Sequence, residues 1–242
     1  MTKRITISTL DAMKSSGDKF VMITAYDATF ARLASEAGAE TILVGDSLGM
    51  VLQGHETTIP VSLDAMVYHT ECVARAKPRS LIVADLPFMS FSNSDDALHA
   101  STQLMQAGAQ MVKLEGGTWL SDSINRLVER GVPVCAHLGL TPQSVNVFGG
   151  YRVQGRTPKE AKSILADAVE IQDAGASLLV LECIPAELAG DIASKLDIPV
   201  IGIGAGGGTD AQVLVLHDML GMTESAPKFV QNFMKGADSI QD

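Results

Sequence analysis

At 242 residues, 46% of them hydrophobic, the chain can bury the core of one large α/β domain, and no Pro, Gly or Ser-rich tract or run of like charge marks a linker, so residues 1–242 read as a single domain. A formal net charge of −10 argues against nucleic acid as a partner, because phosphate binding needs clustered Lys and Arg. No stretch approaches a membrane span and the opening MTKRITISTL lacks the apolar run of a secretory leader, so a soluble, cytoplasmic protein with no membrane partner is expected.

Residues 6–16 predict a short amphipathic helix stopped by Gly17, followed by a strand over 20–25, FVMITA. Asp27 can cap a helix over 28–37, with Phe30, Leu33, Ala34 and Ala37 on one face and Gly38 at its end. A strand over 41–46 then opens into a long loop rich in glycine and hydroxyl residues that runs to Pro60. Ser62 can cap a helix over 63–76, with Pro78 beyond its end. A strand over 80–85 leads to a helix over 95–107 that Ser94 can cap and Gly108 can end, and a strand over 111–115 to a helix over 120–130 before Gly131. A strand over 132–137 gives way to a second long loop, LGLTPQSVNVFGGYRVQGR. Thr157-Pro158-Lys159-Glu160 is a capping box with proline at the first helical position, starting a helix that reaches Ala174 and stops at Gly175. A strand over 177–182, a helix over 185–195, strands over 198–203 and 213–217 and a last helix near 227–236 complete the pattern.

Eight apolar strands separated by helical segments predict a (β/α)8 TIM barrel with a short N-terminal capping helix, rather than a doubly wound sheet. TAYDATF, after the first strand, carries no G-x-G-x-x-G. The run Gly202-Ile203-Gly204-Ala205-Gly206 comes too late for that fingerprint and is open to two readings, tight turn chemistry or a ligand contact after strands seven and eight.

Five strands close on an ionisable residue: Asp46, Asp85, Glu115, His137 and Glu182. In a barrel these ends share the mouth where the chemistry is built. Asp46 alone could be a helix N-cap or a turn residue, as most Asp-Ser pairs after a strand are. The recurrence of the design favours a site. Strands two, three and four are neighbours roughly 4.8 Å apart, so Asp46 and Asp85 can reach one cation, with Glu115 a strand further on and able to act through water. All-oxygen ligation with open positions suits Mg²⁺, or Mn²⁺ in its place. Lys113 lies two residues before Glu115 and so faces the barrel interior, where a substrate oxyanion or Glu115 itself would answer its charge. Glu182, across the mouth, has room to act as a base on a ligand held between it and the metal. His137 could orient substrate or be hydrogen-bonded structure. The cysteines Cys72, Cys135 and Cys183 are too few and scattered for a disulfide framework or zinc; Cys135 reads as a buried hydrophobe, and strand alternation points Cys183 away from the face of Glu182. The residues alone predict a metal-assisted lyase or transferase forming an enolate beside the carbonyl of a small 2-oxoacid.

The stretches GDSLGMVLQGHETTIPV, YHTECVARA, VADLPFMS, MVKLEGG, VCAHLGLTPQSVNVFGGYRVQGR, LLVLECIP and IGIGAG, in order from Ile23 to Phe233, resemble the ketopantoate hydroxymethyltransferase family. The resemblance implies a Mg²⁺-dependent barrel enzyme of pantothenate biosynthesis that moves a one-carbon unit from 5,10-methylenetetrahydrofolate to 3-methyl-2-oxobutanoate, giving 2-dehydropantoate. It implies Asp46, Asp85 and Glu115 as the metal site, Asp46, Ser47, Asp85 and Lys113 as oxoacid contacts, Glu182 as proton acceptor, and a homodecamer. Two departures bear on assembly rather than chemistry: GMTESAPKF stands where the family has a GITGG-like stretch, and the chain ends at Asp242, before a further C-terminal helix. No K-x-C-G-H motif of the related isocitrate lyase-like enzymes is present.

Overall fold

The computed structural model describes residues 4–224 and 226–240; the first three residues of the stretch read for a leader, Ser225 within GMTESAPKF, and the chain's end at Asp242 lie outside them. Its elements follow in order α1 (Ile7–Ser16), β1 (Phe20–Thr24), α2 (Ala28–Glu36), β2 (Thr41–Val44), α3 (Leu48–Val51), α4 (Leu63–Arg75), β3 (Leu81–Asp85), α5 (Ser94–Ala107) and β4 (Met111–Glu115). There follow α6 (Ser121–Val128), β5 (Val134–Gly139), α7 (Val145–Phe148), α8 (Pro158–Asp173), β6 (Leu178–Glu182), α9 (Ala186–Lys195), β7 (Val200–Ile203), β8 (Ala211–Leu214) and α10 (Leu216–Met219). The eight strands pair in parallel in chain order, and β8 closes on β1: a closed (β/α)8 barrel.

Local chemistry accounts for most boundaries. Asp27 caps α2 by accepting from the Thr29 and Phe30 N–H groups, and Ser62 caps α4 through Ala65 N–H. Thr157 and Glu160 form the reciprocal box that starts α8, with Pro158 at its first position. The cap of α5 is Asn93, one residue before the expected Ser94; its side chain accepts from Asp95 and Asp96 N–H. Both long loops contain single helical turns, α3 and α7, too short to show a period in sequence.

Alternation along the strands makes two cores. One face packs Ile42, Val44, Ile82, Ala84, Val112, Leu114 and Leu179 against the surrounding helices. The other fills the barrel with Leu43, Leu81, Val83, Met111, Cys135, Leu178 and Val180. Cys135 is a buried member of that interior, as its apolar setting predicted. Helix α1 closes the N-terminal end: Leu10 joins the interior cluster, and Lys14 Nζ bonds Ala193 O at 2.8 Å and Asp210 Oδ2 at 2.7 Å.

The C-terminal part differs from expectation. Strand β8 spans Ala211–Leu214 rather than 213–217, and residues 216–219 are helical. No helix forms over 227–236. Its backbone groups are engaged otherwise: Val230 N–H donates to Pro227 O and Phe233 N–H to Met219 O, while Phe229 packs on Gly204 and Asn232 on Gly221. Docking on the barrel has replaced the local helix.

Candidate active site

Strand parity carries the inward residues from core to mouth in steps of two. On β4 the inward file is Met111, Lys113, Glu115; on β3 it is Leu81, Val83, Asp85; on β5, Cys135 and His137; on β6, Leu178, Val180, Glu182. Register places Asp85 beside Lys113, Glu115 beside His137, and Glu182 beside Gly139. Asp46 reaches the same place by another route. Strand β2 ends at Val44, and the chain turns at Gly45, where an added Cβ would lie 2.9 Å from Ser47 Oγ. The Asp46 side chain caps no helix.

These residues line a cavity of about 960 Å³ at the C-terminal mouth, within the range of small-ligand sites. Asp46, Ser47, Asp85, Lys113, Glu115 and Glu182 all face it, so every site residue singled out in the sequence is brought together. Asp46, Asp85, Lys113, Glu115 and His137 are buried, none more than 6% exposed.

Lys113 Nζ lies 3.0 Å from Asp85 Oδ1 and 3.5 Å from Glu115 Oε1. Asp46 N–H donates to Asp85 Oδ2 at 3.0 Å. His137 stands between two carboxylates, with Nδ1 3.1 Å from Glu115 Oε1 and Nε2 3.3 Å from Glu182 Oε2. The ring therefore ties the proposed base to the acidic arc. Tyr26 Oη lies 2.9 Å from Ser47 Oγ and fixes that hydroxyl.

Gln143 was not legible in the sequence. Its Nε2 donates to Asp46 Oδ2 and to Leu86 O, both at 2.9 Å, and its N–H donates to Glu115 Oε2 at 3.1 Å. One residue of the second long loop thus braces two carboxylates, Asp46 through its side chain and Glu115 through its backbone N–H. Only its place after Pro142, in a loop with no period of its own, marked it.

Burial and charge act together here. Burial, with Asp85 and Glu115 nearby, pushes Asp46 well above the usual carboxylate range; Asp85 is also raised by burial, against the pull of Lys113. Burial alone would discharge Lys113, but Asp85, Glu115 and Asp46 hold its proton more firmly than in water. Burial also opposes the charge on Glu115, yet Lys113 and His137 outweigh it and lower the group to about 2. For His137, burial and Lys113 are overcome by Glu115 and Glu182, which push it up to about 9.

The site's positive charge falls short of its negative charge, and two of its carboxylates are disfavoured as anions. Asp85 Oδ1, buried, is met by the Lys113 ammonium at 3.0 Å and by no other donor. A small divalent cation answers both features. Among the described residues no three His, Cys, Asp or Glu side chains form a ready cage.

One sequence expectation changes. Cys183 does not turn away from the mouth: it lies beyond the end of β6 with φ of 47°, outside the alternation, and lines the cavity. The glycines of 202–206 serve close packing, since a Cβ at Gly206 would lie 2.4 Å from Ala186 Cβ and one at Gly204 2.8 Å from the Phe229 ring. The three cysteines are free. No helix among the described residues is long and apolar enough to cross a membrane.

The sequence profile of ketopantoate hydroxymethyltransferase matches residues 4–242. The chain is 59% identical over 239 residues to a 3-methyl-2-oxobutanoate hydroxymethyltransferase 2 of Pseudomonas fluorescens, covering 98% of this chain and 90% of that protein. A 3-methyl-2-oxobutanoate hydroxymethyltransferase of Saccharophagus degradans is 55% identical over 240 residues, with 99% and 89% covered. Among solved structures, a phosphonomutase-like protein of Burkholderia cenocepacia superposes with a TM-score of 0.68 at 18% identity, over 90% of this chain and 95% of that one. A 2,3-dimethylmalate lyase of the PEP mutase/isocitrate lyase superfamily gives 0.63 at 16% identity, over 86% and 77%. At such identities the structural likeness is one of fold.

Proposed function

Because the chain belongs to the ketopantoate hydroxymethyltransferase family, a family of transferases, we propose that it transfers a hydroxymethyl group from 5,10-methylenetetrahydrofolate to 3-methyl-2-oxobutanoate, forming 2-dehydropantoate for pantothenate synthesis. The observation that carries this reading is the placement of Glu182 opposite Asp46 and Asp85 across one cavity, with Lys113 at its floor.

Asp46 and Asp85 would hold Mg²⁺, and Glu115, tied to Lys113, His137 and Gln143, would complete the acidic arc. When bound, the ion would polarise the ketone and offset the oxoacid's carboxylate. Ser47, fixed by Tyr26, offers a hydroxyl to that carboxylate. Lys113 keeps its ammonium at neutral pH and faces negative charge developing on the substrate oxygen. Glu182, held by His137, takes the single hydrogen from C3 of the oxoacid. The enolate then adds to the one-carbon electrophile. The attacking C3 then keeps no hydrogen, so the folate nitrogen cannot leave by elimination across the new bond; tetrahydrofolate leaves and water must supply the hydroxyl.

Incubation with Mg²⁺, 3-methyl-2-oxobutanoate and methylenetetrahydrofolate is expected to yield 2-dehydropantoate. No product with either Mg²⁺ or Mn²⁺ overturns the assignment. Glu182→Gln is expected to slow solvent exchange of the C3 proton, followed by NMR without folate, by about 10³-fold. Unchanged exchange in that variant removes Glu182 from the role of base.

A further inference from the structure

A second concavity, of about 910 Å³, opens at the opposite end of the barrel, lined by Arg4, Arg32, Lys77 and Arg79 with Glu36 as its one acid. The charges come from three segments: Arg4 precedes α1, Arg32 lies on α2, and Lys77 and Arg79 lie between α4 and β3. Those segments are pinned to one another. Ile5 N–H donates to Arg79 O at 2.8 Å, and Arg79 N–H donates to the buried Ser35 Oγ on α2 at 2.9 Å. Lys77 sits at φ of 51° and is followed by Pro78, whose ring fixes the next φ, so the turn presenting Lys77 and Arg79 is stiff.

None of the four cations forms an ion pair among the described residues, and Glu36 pairs with none of them. Unpaired cations also occur elsewhere among the described residues, Arg152, Arg156, Lys159 and Lys162 among them; what sets these four apart is that they line one hollow. Helices α2 and α4 both end here, and a cation at a helix C-terminus is ordinary. Two helix ends do not call for four unpaired charges around a hollow, in a chain whose net charge is −10. The charge is concentrated where the fold makes a cavity.

We infer that this concavity is a binding site for a small organic polyphosphate of nucleotide size. Arginine forks match phosphate oxygens in pairs, and three of them with a lysine balance the charge of a di- or triphosphate. The volume admits a nucleotide, and Ala74, Ala76 and Pro78 give an apolar wall for its uncharged part. The site lies at the N-terminal face, the length of β3 away from Asp85, and is independent of the transferase reading.

Isothermal titration of the full chain at low salt, without divalent cations, tests it with ATP and inorganic pyrophosphate as probes. Both are expected to bind once per chain, and Arg32→Ala/Arg79→Ala to weaken each at least tenfold while turnover of the oxoacid is unchanged. Absence of binding at millimolar probe overturns the proposal, as does undiminished binding by the double variant. Loss of ATP binding in Asp46→Asn would place the nucleotide in the other cavity and also overturn it. Should wild type bind neither probe while Arg32→Glu/Arg79→Glu changes the mass in light scattering, the hollow is a contact between copies, and the proposal fails.

Discussion

His137 and Glu115 show how a strand-end histidine becomes committed to one charge state. The ring lies between two carboxylates and out of water, so its folded value, about 9, stands above the roughly 6.5 of an unfolded histidine. A raised value means that its contribution to stability is complete below about 6.5 and is lost as pH rises through 9. Glu115 runs the other way: lowered to about 2, it stabilises above its unfolded value of 4.5, and that contribution is lost as pH falls through 2. The pair therefore supports the fold most strongly between about pH 4.5 and 6.5. An imidazole NMR titration in the presence of a chelator is expected to place the His137 midpoint near 9, and Glu115→Gln to move it down. A wild-type midpoint at or below 6.5 would show that the ring is not held by these carboxylates. The sequence showed the histidine at its strand end but not its partners, because those contacts are set by register between strands.

At the scale of elements, the end of β5 is the most constrained point near the chemistry. Gly139 has φ of 91° and pairs with Glu182, and a Cβ there would lie 2.2 Å from Glu182 O. Gly139→Ala must separate β5 from β6 and displace the base from His137. We expect about 2 kcal/mol or more of lost stability in urea unfolding, and a fall in kcat larger than the change in KM. A variant of wild-type stability and activity would mean that the strand end yields easily. Helices whose signals are local were readable in advance, as Thr157 with Glu160 at α8 shows. The helix expected over 227–236 does not form, because that segment is held by contacts with distant residues, Phe229 on Gly204 and the Phe233 N–H on Met219 O.

For the whole molecule, the arc of acids makes stability depend on pH. Asp46 and Asp85 have folded values above their unfolded ones, so they favour the fold only in acid, and that contribution is lost as pH rises through those raised values. At neutral pH their mutual repulsion and burial work against folding. A divalent ion bound only by the native state should reverse this, giving about 2.7 kcal/mol at a hundredfold excess over its Kd. Thermal unfolding with Mg²⁺ or Mn²⁺ against chelator is therefore expected to show a higher Tm, and Asp46→Asn or Asp85→Asn to abolish most of the increase. No increase in the wild-type protein at 10-fold the concentration saturating activity, roughly the excess that linkage requires, would remove the ion from this site.

The sequence by itself determined the barrel and the strand-end side chains Asp85, Lys113, Glu115 and Glu182 at its mouth. Period-two apolar runs, glycine stops and strand-end charges are local signals, and parity carries Asp85, Lys113, Glu115 and Glu182 inward once the strands exist. Tertiary structure alone decided the contact between Gln143 and Asp46, 97 residues apart, the inward turn at Gly45 that delivers Asp46, the exposure of Cys183 to the cavity and the docking of Phe229 over Gly204. Each of these depends on which distant surfaces meet when the barrel closes, and no short-range pattern encodes that meeting.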